Sequence, residues 1–317
     1  MSAVGAAAMV AQTAVVAGGA PWLAGLMRQV RARLEGRAGP GLGQPWRDLR
    51  KLLRKRPVTA TGTGWAFRTA PLLLVATTAV VATLVPLAST DTPVSDSADL
   101  IVVVALLALG TVSLALAGLD TGTAFGGMGA SREMTVAALV EPTLLMAVFA
   151  LSIPAGSTNL AAIVAGAAHD PARLATPTGL LAAFALAVVV LAETGRLPVD
   201  NPSTHLELTM IHEAMVLEYA GPDLALVELG AQMRLTVLLG LLASLFTPWG
   251  IATGAGAAAV LLALLLFAVK VALLGALLAA AEVFWAKVRL FRVPELLAGS
   301  FLLALLAVAS SYFLTGE

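Results

Sequence analysis

Cysteine is absent from the sequence, and histidine, lysine and tyrosine are scarce, with three, four and two residues respectively. Without cysteine the chain holds no disulfide, no thiolate zinc site and no cysteine-ligated iron–sulfur cluster. None of the histidines lies inside a long apolar run, which argues against a haem held between membrane helices. No lysine follows a glycine, as a phosphate-binding P-loop requires. The chain is therefore expected to carry no cofactor of its own.

Charge is also scarce, since only 12% of the 317 residues are charged and 59% are hydrophobic. Soluble domains carry roughly 25% charged and 45–50% apolar residues. With a mean hydropathy of +0.92, this chain would expose too much hydrocarbon to stay in water. The composition predicts an all-α, polytopic membrane protein that forms one transmembrane domain over residues 1–317. We expect it to lie in the cell (inner or plasma) membrane.

Eight apolar runs are long enough to cross a bilayer. A spanning helix needs roughly 20 residues, because the hydrocarbon core is about 30 Å thick and each residue rises about 1.5 Å. The spans must be helical, because lipid offers no partner to a backbone amide. The runs fall near residues 3–27, 65–89, 100–119, 134–153, 177–193, 224–247, 255–281 and 296–314.

The basic residues predict the orientation of these spans. Ten lysines and arginines lie between the first two runs, and placing them in the cytoplasm puts most of the 19 basic residues on or near that side. Both termini then lie outside. No basic residue precedes the first apolar run, so this run is expected to be a retained span rather than a cleaved secretory signal.

The first predicted cytoplasmic segment, residues 28–66, is basic and contains a potential amphipathic helix. Gln44-Pro45-Trp46 opens this helix, and its apolar residues recur at helical spacing among cations: Trp46, Leu49, Leu52 and Leu53. Such a helix lies at the lipid headgroups. It is either a topology anchor on anionic lipid or a docking platform for a soluble partner, to which the preceding Gly39-Pro40-Gly41 turn would be presented.

The other two predicted cytoplasmic segments have different characters. Residues 120–133 read as a glycine-rich loop, which would let another backbone approach closely. Residues 193–223 form an acidic loop in which Arg196 is the sole cation. Its charge is opposite to that of residues 28–66, which suggests that the two segments meet or share a partner. Crowded carboxylates also raise one another's pKa, which suits groups that exchange protons near neutral pH.

Each candidate acid also has a simple structural explanation. Glu193 and Arg196 could form a local pair on a helix end, and Thr204 with Glu207 could form a capping box. Glu141 lies inside the fourth run and Lys270 inside the seventh, so the two could form one buried pair. Metal binding is not expected, because the histidines lack the second ligand of known zinc motifs.

Several of these stretches resemble one known family. Residues 31–56 (RARLEGRAGPGLGQPWRDLRKLLRKR), 129–142 and Glu218-Tyr219-Ala220-Gly221 are similar to the membrane subunit of respiratory complex I that anchors the quinone chamber. Residues 193–200 (ETGRLPVD) resemble that subunit's E-x-x-R-x-P-F-D signature, with Val199 in place of phenylalanine.

Other stretches are closer to the hydrogenase branch of the same family. Residues 201–215 and 287–296 resemble the membrane subunits of formate hydrogenlyase and of the group 4 membrane-bound nickel–iron hydrogenases. Since the complex I pattern is lost there, quinone binding is not predicted. The resemblance covers almost the whole chain.

The resemblance implies partners, cofactors and site residues. Soluble large and small hydrogenase-type subunits and iron–sulfur subunits would dock on the cytoplasmic side, with the [NiFe] centre and the clusters inside them, and antiporter-like membrane subunits would lie alongside. No nucleic acid is implied. The resemblance places the proton path at Glu141, Glu193, Arg196, Glu213, Glu218 and Glu228, with Arg196 tuning Glu193. Partner docking would involve Arg37, Gly39, Pro40, Gln44, Pro45, Asp200 and Glu207.

Three functions therefore compete. The first is a non-catalytic membrane subunit of a formate hydrogenlyase-like, energy-converting hydrogenase, which anchors the soluble arm and couples its electron transfer to proton translocation. The second is the corresponding complex I subunit of a NADH:quinone oxidoreductase, with quinone bound at the inner face. The third is a proton-coupled secondary transporter with Glu141 and Lys270 along the substrate path. A purely structural anchor is the residual possibility.

Overall fold

The computed structural model describes residues 3–200, 210–254, 256–285 and 292–315. Within these ranges the chain is almost wholly helical and has no β-strand. Its helices are α1 Ala3–Leu34, α2 Gln44–Leu53, α3 Trp65–Leu84, α4 Leu100–Asp120, α5 Ala124–Ala155, α6 Leu160–His169, α7 Pro177–Glu193, α8 His212–Val216, α9 Gly221–Phe246, α10 Ala257–Phe284 and α11 Val293–Thr315.

Seven of the described helices are long and apolar enough to cross a membrane, namely α1, α3, α4, α5, α9, α10 and α11. The all-α, polytopic prediction is therefore confirmed. The remaining predicted span, at residues 177–193, is α7, which has only 17 residues. A helix of that length rises about 26 Å, which is slightly less than the hydrocarbon thickness. It packs against α5, α9 and α11.

The predicted glycine-rich loop at 120–133 is wrong for most of its length. Only residues 121–123 connect α4 to α5, and Thr123 caps α5 by accepting a hydrogen bond from the Gly126 amide. The glycines instead allow α5 to pack closely against α4 and α8. A Cβ on Gly126 would lie 2.3 Å from the Gly118 carbonyl oxygen, and one on Gly129 would lie 2.8 Å from Ala214 Cβ.

The helix ends collect into two groups. At one end, Asp120 at the end of α4 accepts hydrogen bonds from the Gly64 and Phe67 amides at the start of α3. We call this end, which also holds α2 and α8, the charged end. At the other end, backbone hydrogen bonds join Thr90 to Ala252 and Leu160 to Ala98.

The first and third predicted inner segments meet at the charged end. Gly221 opens α9 with a positive φ of 58°, and a Cβ there would lie 2.8 Å from the Arg56 carbonyl oxygen. The predicted amphipathic helix corresponds to α2, which packs on α1 and α9. It buries Pro45 and Leu49, while Leu53 remains exposed.

Tyr219 joins the segment before α9 to the start of α3. Its ring stacks on Phe67 with centroids 4.1 Å apart, and its hydroxyl donates to the Phe67 carbonyl oxygen at 2.8 Å. Burial raises the pKa of the Tyr219 phenol, and the Asp223 and Asp120 carboxylates add to this effect. The contact holds α3 and α9 together where they begin.

We predict that Tyr219→Phe keeps the ring stack but lowers the free energy of unfolding by about 1 kcal/mol at neutral pH, because the hydroxyl hydrogen bond is removed. The pKa of the phenol is higher in the folded chain than its unfolded value of about 10. The wild-type advantage is therefore complete below about pH 10 and shrinks as the pH rises above that value. Unfolding in detergent at neutral and alkaline pH measures this, and a pH-independent difference would contradict it.

Candidate functional site

A cavity of about 600 Å³ lies at the charged end and is the candidate site. We call it the chamber. Helices α1, α3, α4, α5, α7, α8 and α9 contribute to its wall, together with the segments after α1 and α7. Its charged lining residues have both signs, and they are Arg28, Arg31, Arg37, Arg196, Arg234, Glu133, Glu193, Glu213 and Glu228.

The chamber brings together most of the residues that the sequence singled out. Four of the six predicted proton-path residues line it: Glu193, Arg196, Glu213 and Glu228. Glu141 and Glu218 are not among its lining residues. Glu141 is half-buried in α5, and Glu218 is half-buried next to Tyr219.

The predicted docking residues separate into exposed and buried groups. Arg37, Gly39 and Pro40 are exposed and also line the chamber, so they form part of its rim. Gln44 is half-buried, whereas Pro45 and Asp200 are buried within the chain. Glu207 lies outside the described residues.

Arg234 on α9 is the central cation of the site. It forms an ion pair with Glu193, at the end of α7, and both side chains are less than a tenth exposed. The guanidinium also donates to Thr111 Oγ1 at 2.6 Å and to the Leu107 carbonyl oxygen at 3.1 Å, both on α4. The guanidinium packs beside Gly110 of α4, where a Cβ would lie in van der Waals contact with Arg234 Nη1 at 3.4 Å.

Arg234 also lies within electrostatic range of two carboxylates on α5, Glu133 and Glu141. Glu193, Glu133 and Glu141 therefore share the field of one cation. Charges inside an apolar bundle are screened far less than charges in water. A change of protonation at one of these acids consequently alters the electrostatic energy of the others.

Arg196 has a different partner from the one that the sequence suggested. It forms an ion pair with Glu282 on α10, at 3.6 Å, whereas Glu193 is paired with Arg234. Arg31 from α1 also binds Glu282, whose carboxylate is fully buried. Burial lowers the pKa of the Arg196 guanidinium, and the Glu282 charge opposes that shift.

Sequence reasoning missed Glu282 and Glu133. Glu282 is the sole acid in α10 and lies just beyond the predicted end of the seventh run, so its position in an apolar helix was the available signal. Glu133 lies two turns before Glu141 on α5. Because residues 120–133 are predicted to form a loop, the sequence does not indicate that Glu133 and Glu141 lie on the same helix.

Lys270 does not need an acidic partner. Its ammonium donates to the carbonyl oxygens of Thr247 and Trp249, just beyond the end of α9. It also lies 5.5 Å from the centre of the Trp249 ring. A long side chain that reaches polar groups at a helix end accounts for a lysine within an apolar helix.

We predict that Arg234→Met destabilises the chain by about 3–5 kcal/mol, because it leaves the Glu193 carboxylate buried without its cation. Adding Glu193→Gln should recover part of this loss, since a neutral amide replaces the charge. Thermal unfolding of the purified chain in detergent measures Arg234→Met, Glu193→Gln and the double variant. Arg54→Met, on the exposed surface, is the control and should change stability by less than about 0.5 kcal/mol. If the stability losses of the two single variants simply add in the double variant, the proposed interaction between Arg234 and Glu193 is contradicted.

The apolar bundle and the charged chamber at its end define a multi-pass membrane protein with buried ionisable groups. The sequence matches the NADH dehydrogenase family over residues 6–312, and the chain belongs to that family. The resemblance predicted from residues 31–56 and 193–200 is thus confirmed.

Individual relatives favour the hydrogenase branch. The chain is 36% identical to hydrogenase-4 component C of Escherichia coli K12, with 93% of this chain and 92% of the relative covered. It is 35% identical to formate hydrogenlyase subunit 4 of the same organism, covering 92% and 94%. A NADH-quinone oxidoreductase subunit from Syntrophobacter fumaroxidans is 30% identical, with 72% of each chain covered.

The fold is also found in a solved structure. A chain of the membrane-bound sulfane sulfur reductase, an archaeal respiratory membrane complex, superposes with a TM-score of 0.81. The superposition covers 96% of this chain and 98% of that one at 20% identity. At this identity the likeness establishes the shared fold alone.

Proposed function

We propose that the chain is the membrane subunit of an energy-converting, formate hydrogenlyase-like hydrogenase complex. In this role it anchors a soluble arm at the charged end and couples electron transfer in that arm to proton translocation. The [NiFe] centre and the iron–sulfur clusters belong to the partner subunits, and the complex lies in the cell membrane. The similarity to two hydrogenase-branch proteins over more than nine-tenths of the chain supports this assignment.

The geometry of the chamber is the observation that carries the proposal. Its rim residues Arg37, Gly39 and Pro40 are exposed, while Glu193 and Arg234 lie buried in its wall. A soluble partner seated on the rim would bring its redox groups close to buried acids. Such an arrangement allows electrostatic coupling without any cofactor in the membrane subunit.

This electrostatic coupling is large enough to change the protonation of a carboxylate. A unit charge that arrives about 10 Å from a carboxylate, at an effective dielectric constant near 20, changes its energy by roughly 1.7 kcal/mol. That energy corresponds to a change of more than about tenfold in a protonation equilibrium. Reduction of a nearby cluster would therefore load a proton onto an acid of the chamber, and reoxidation would release it.

Glu141 extends the route beyond the chamber, and Glu228 adds an acid to the chamber end of the route. Glu141 on α5 lies within electrostatic range of Arg234 and outside the chamber lining. Glu228 on α9 lies in the wall. We propose that protons pass from Glu213, Glu228 and Glu193 toward Glu141, and from there to antiporter-like membrane subunits alongside.

We predict that Glu141→Gln and Glu193→Gln abolish most of the hydrogen-dependent proton pumping while leaving hydrogen chemistry in the soluble arm active. A neutral amide keeps the shape of each side chain but cannot take up and release a proton near neutral pH. Proton uptake by vesicles containing the complex, divided by the rate of hydrogen turnover, measures the coupling.

Glu295→Gln is the matched control, because Glu295 is exposed in the first turn of α11 and is not among the chamber residues. It should leave the ratio unchanged. Unaltered pumping in both the Glu141→Gln and the Glu193→Gln variants would refute the coupling role. Loss of the soluble subunits from a correctly folded variant would instead identify a defect in anchoring.

The complex I-type function remains the second candidate because of the size of the chamber. Its volume of about 600 Å³ falls within the range of about 300–1,000 Å³ that is usual for small-molecule sites. Activity of the purified complex that rises with added quinone, and is lost when the chamber is filled by a bulky substitution, would favour this candidate over the hydrogenase.

A further inference from the structure

A second cavity, on the outside of the bundle, has no part in the chamber. It is a groove of about 280 Å³ between α1 and α10, with Thr236 of α9 and Leu42 as further lining residues. None of its lining residues is charged, and α1 contributes Val15, Gly19, Trp22 and Leu26 among them. On α1 the groove runs from Val15 to Leu26, a rise of about 16 Å.

The shape of the groove suits a flexible hydrocarbon chain. Gly19 faces open space, since a Cβ placed on it would meet no atom within 4 Å. Trp22 and Leu42 at the end nearest α2 are about half exposed, at 53% and 45%. Large apolar side chains at the edge of an apolar groove are favourable when hydrocarbon covers them.

The end of the groove at Leu42 leads directly to positive charge. A Cβ on Gly43 would lie 3.7 Å from the Trp22 ring and 3.6 Å from Arg47 Nη1, so the two side chains flank this glycine. Arg47, Arg50 and Lys51 are all exposed on α2. A tryptophan beside arginines, next to an apolar groove, matches the boundary between lipid headgroups and acyl chains.

We propose that this groove binds one anionic phospholipid, with an acyl chain along α1 and α10 and its phosphate at Arg47 and the neighbouring cations of α2. Charge complementarity selects an anionic headgroup. This proposal requires only that the chain lies in a membrane, and it is independent of the proposed hydrogenase function. It would fix α2, which lies next to the chamber rim, against the bilayer.

The test is native mass spectrometry of the intact complex after incubation with phosphatidylglycerol or phosphatidylcholine in mild detergent. The wild type should retain phosphatidylglycerol in preference to phosphatidylcholine. Gly19→Leu places a side chain in the groove and displaces at least two lipid methylenes, so retention should fall by more than about tenfold. Arg47→Gln should reduce the preference for phosphatidylglycerol while leaving the acyl-chain groove open.

Gly18→Leu is the matched control, since Gly18 is the adjacent helical glycine, also faces open space and does not line the groove. It should behave as the wild type. Equal retention in the Gly18 and Gly19 variants, or no preference between the two lipids, would overturn the proposal. So would a map of the complex that shows a partner's helix or a quinone in the groove.

Discussion

The burial of charge among apolar helices is the constraint on which this structure depends. Removing an arginine and a carboxylate from water is expensive, and the cost is offset only where the pair is well bonded. Arg234 meets this condition through Glu193 on α7 and two acceptors on α4. Glu282 is paired with Arg31 of α1 through one carboxylate oxygen and faces Arg196, after α7, at 3.6 Å through the other. These two clusters fix the relative positions of the helices around the chamber.

The same constraint gives the chamber its chemical capacity. In a medium of low dielectric constant, the protonation of an acid responds to charges several ångströms away. Glu133, Glu141 and Glu193 share the field of Arg234, so the site acts as a coupled set rather than as separate groups. A partner that changes charge at the rim would act on the whole set. The chain therefore contributes positioned ionisable groups of both signs.

The sequence predicted the helices well because hydrophobic length is a local property. Seven of the eight predicted spans appear as long apolar helices, and α7 appears as a shorter one. The prediction failed at 120–133, where the density of glycine indicates a loop. In the structure, Gly126 and Gly129 lie inside α5. They are glycines because a side chain at either position would collide with α4 or α8. The contact at Gly129 depends on Ala214, which is distant in sequence, and composition contains no information about it.

By itself, the sequence determined the membrane class, the helix positions, the family resemblance and most of the acids in the chamber. These follow from apolar run lengths and from short motifs such as residues 193–200. The tertiary structure decided the ion partners. It paired Glu193 with Arg234 and Arg196 with Glu282, although Glu193 and Arg196 are three residues apart. The reason is physical: a buried charge takes the partner that helix packing places beside it, and packing is set by the whole bundle.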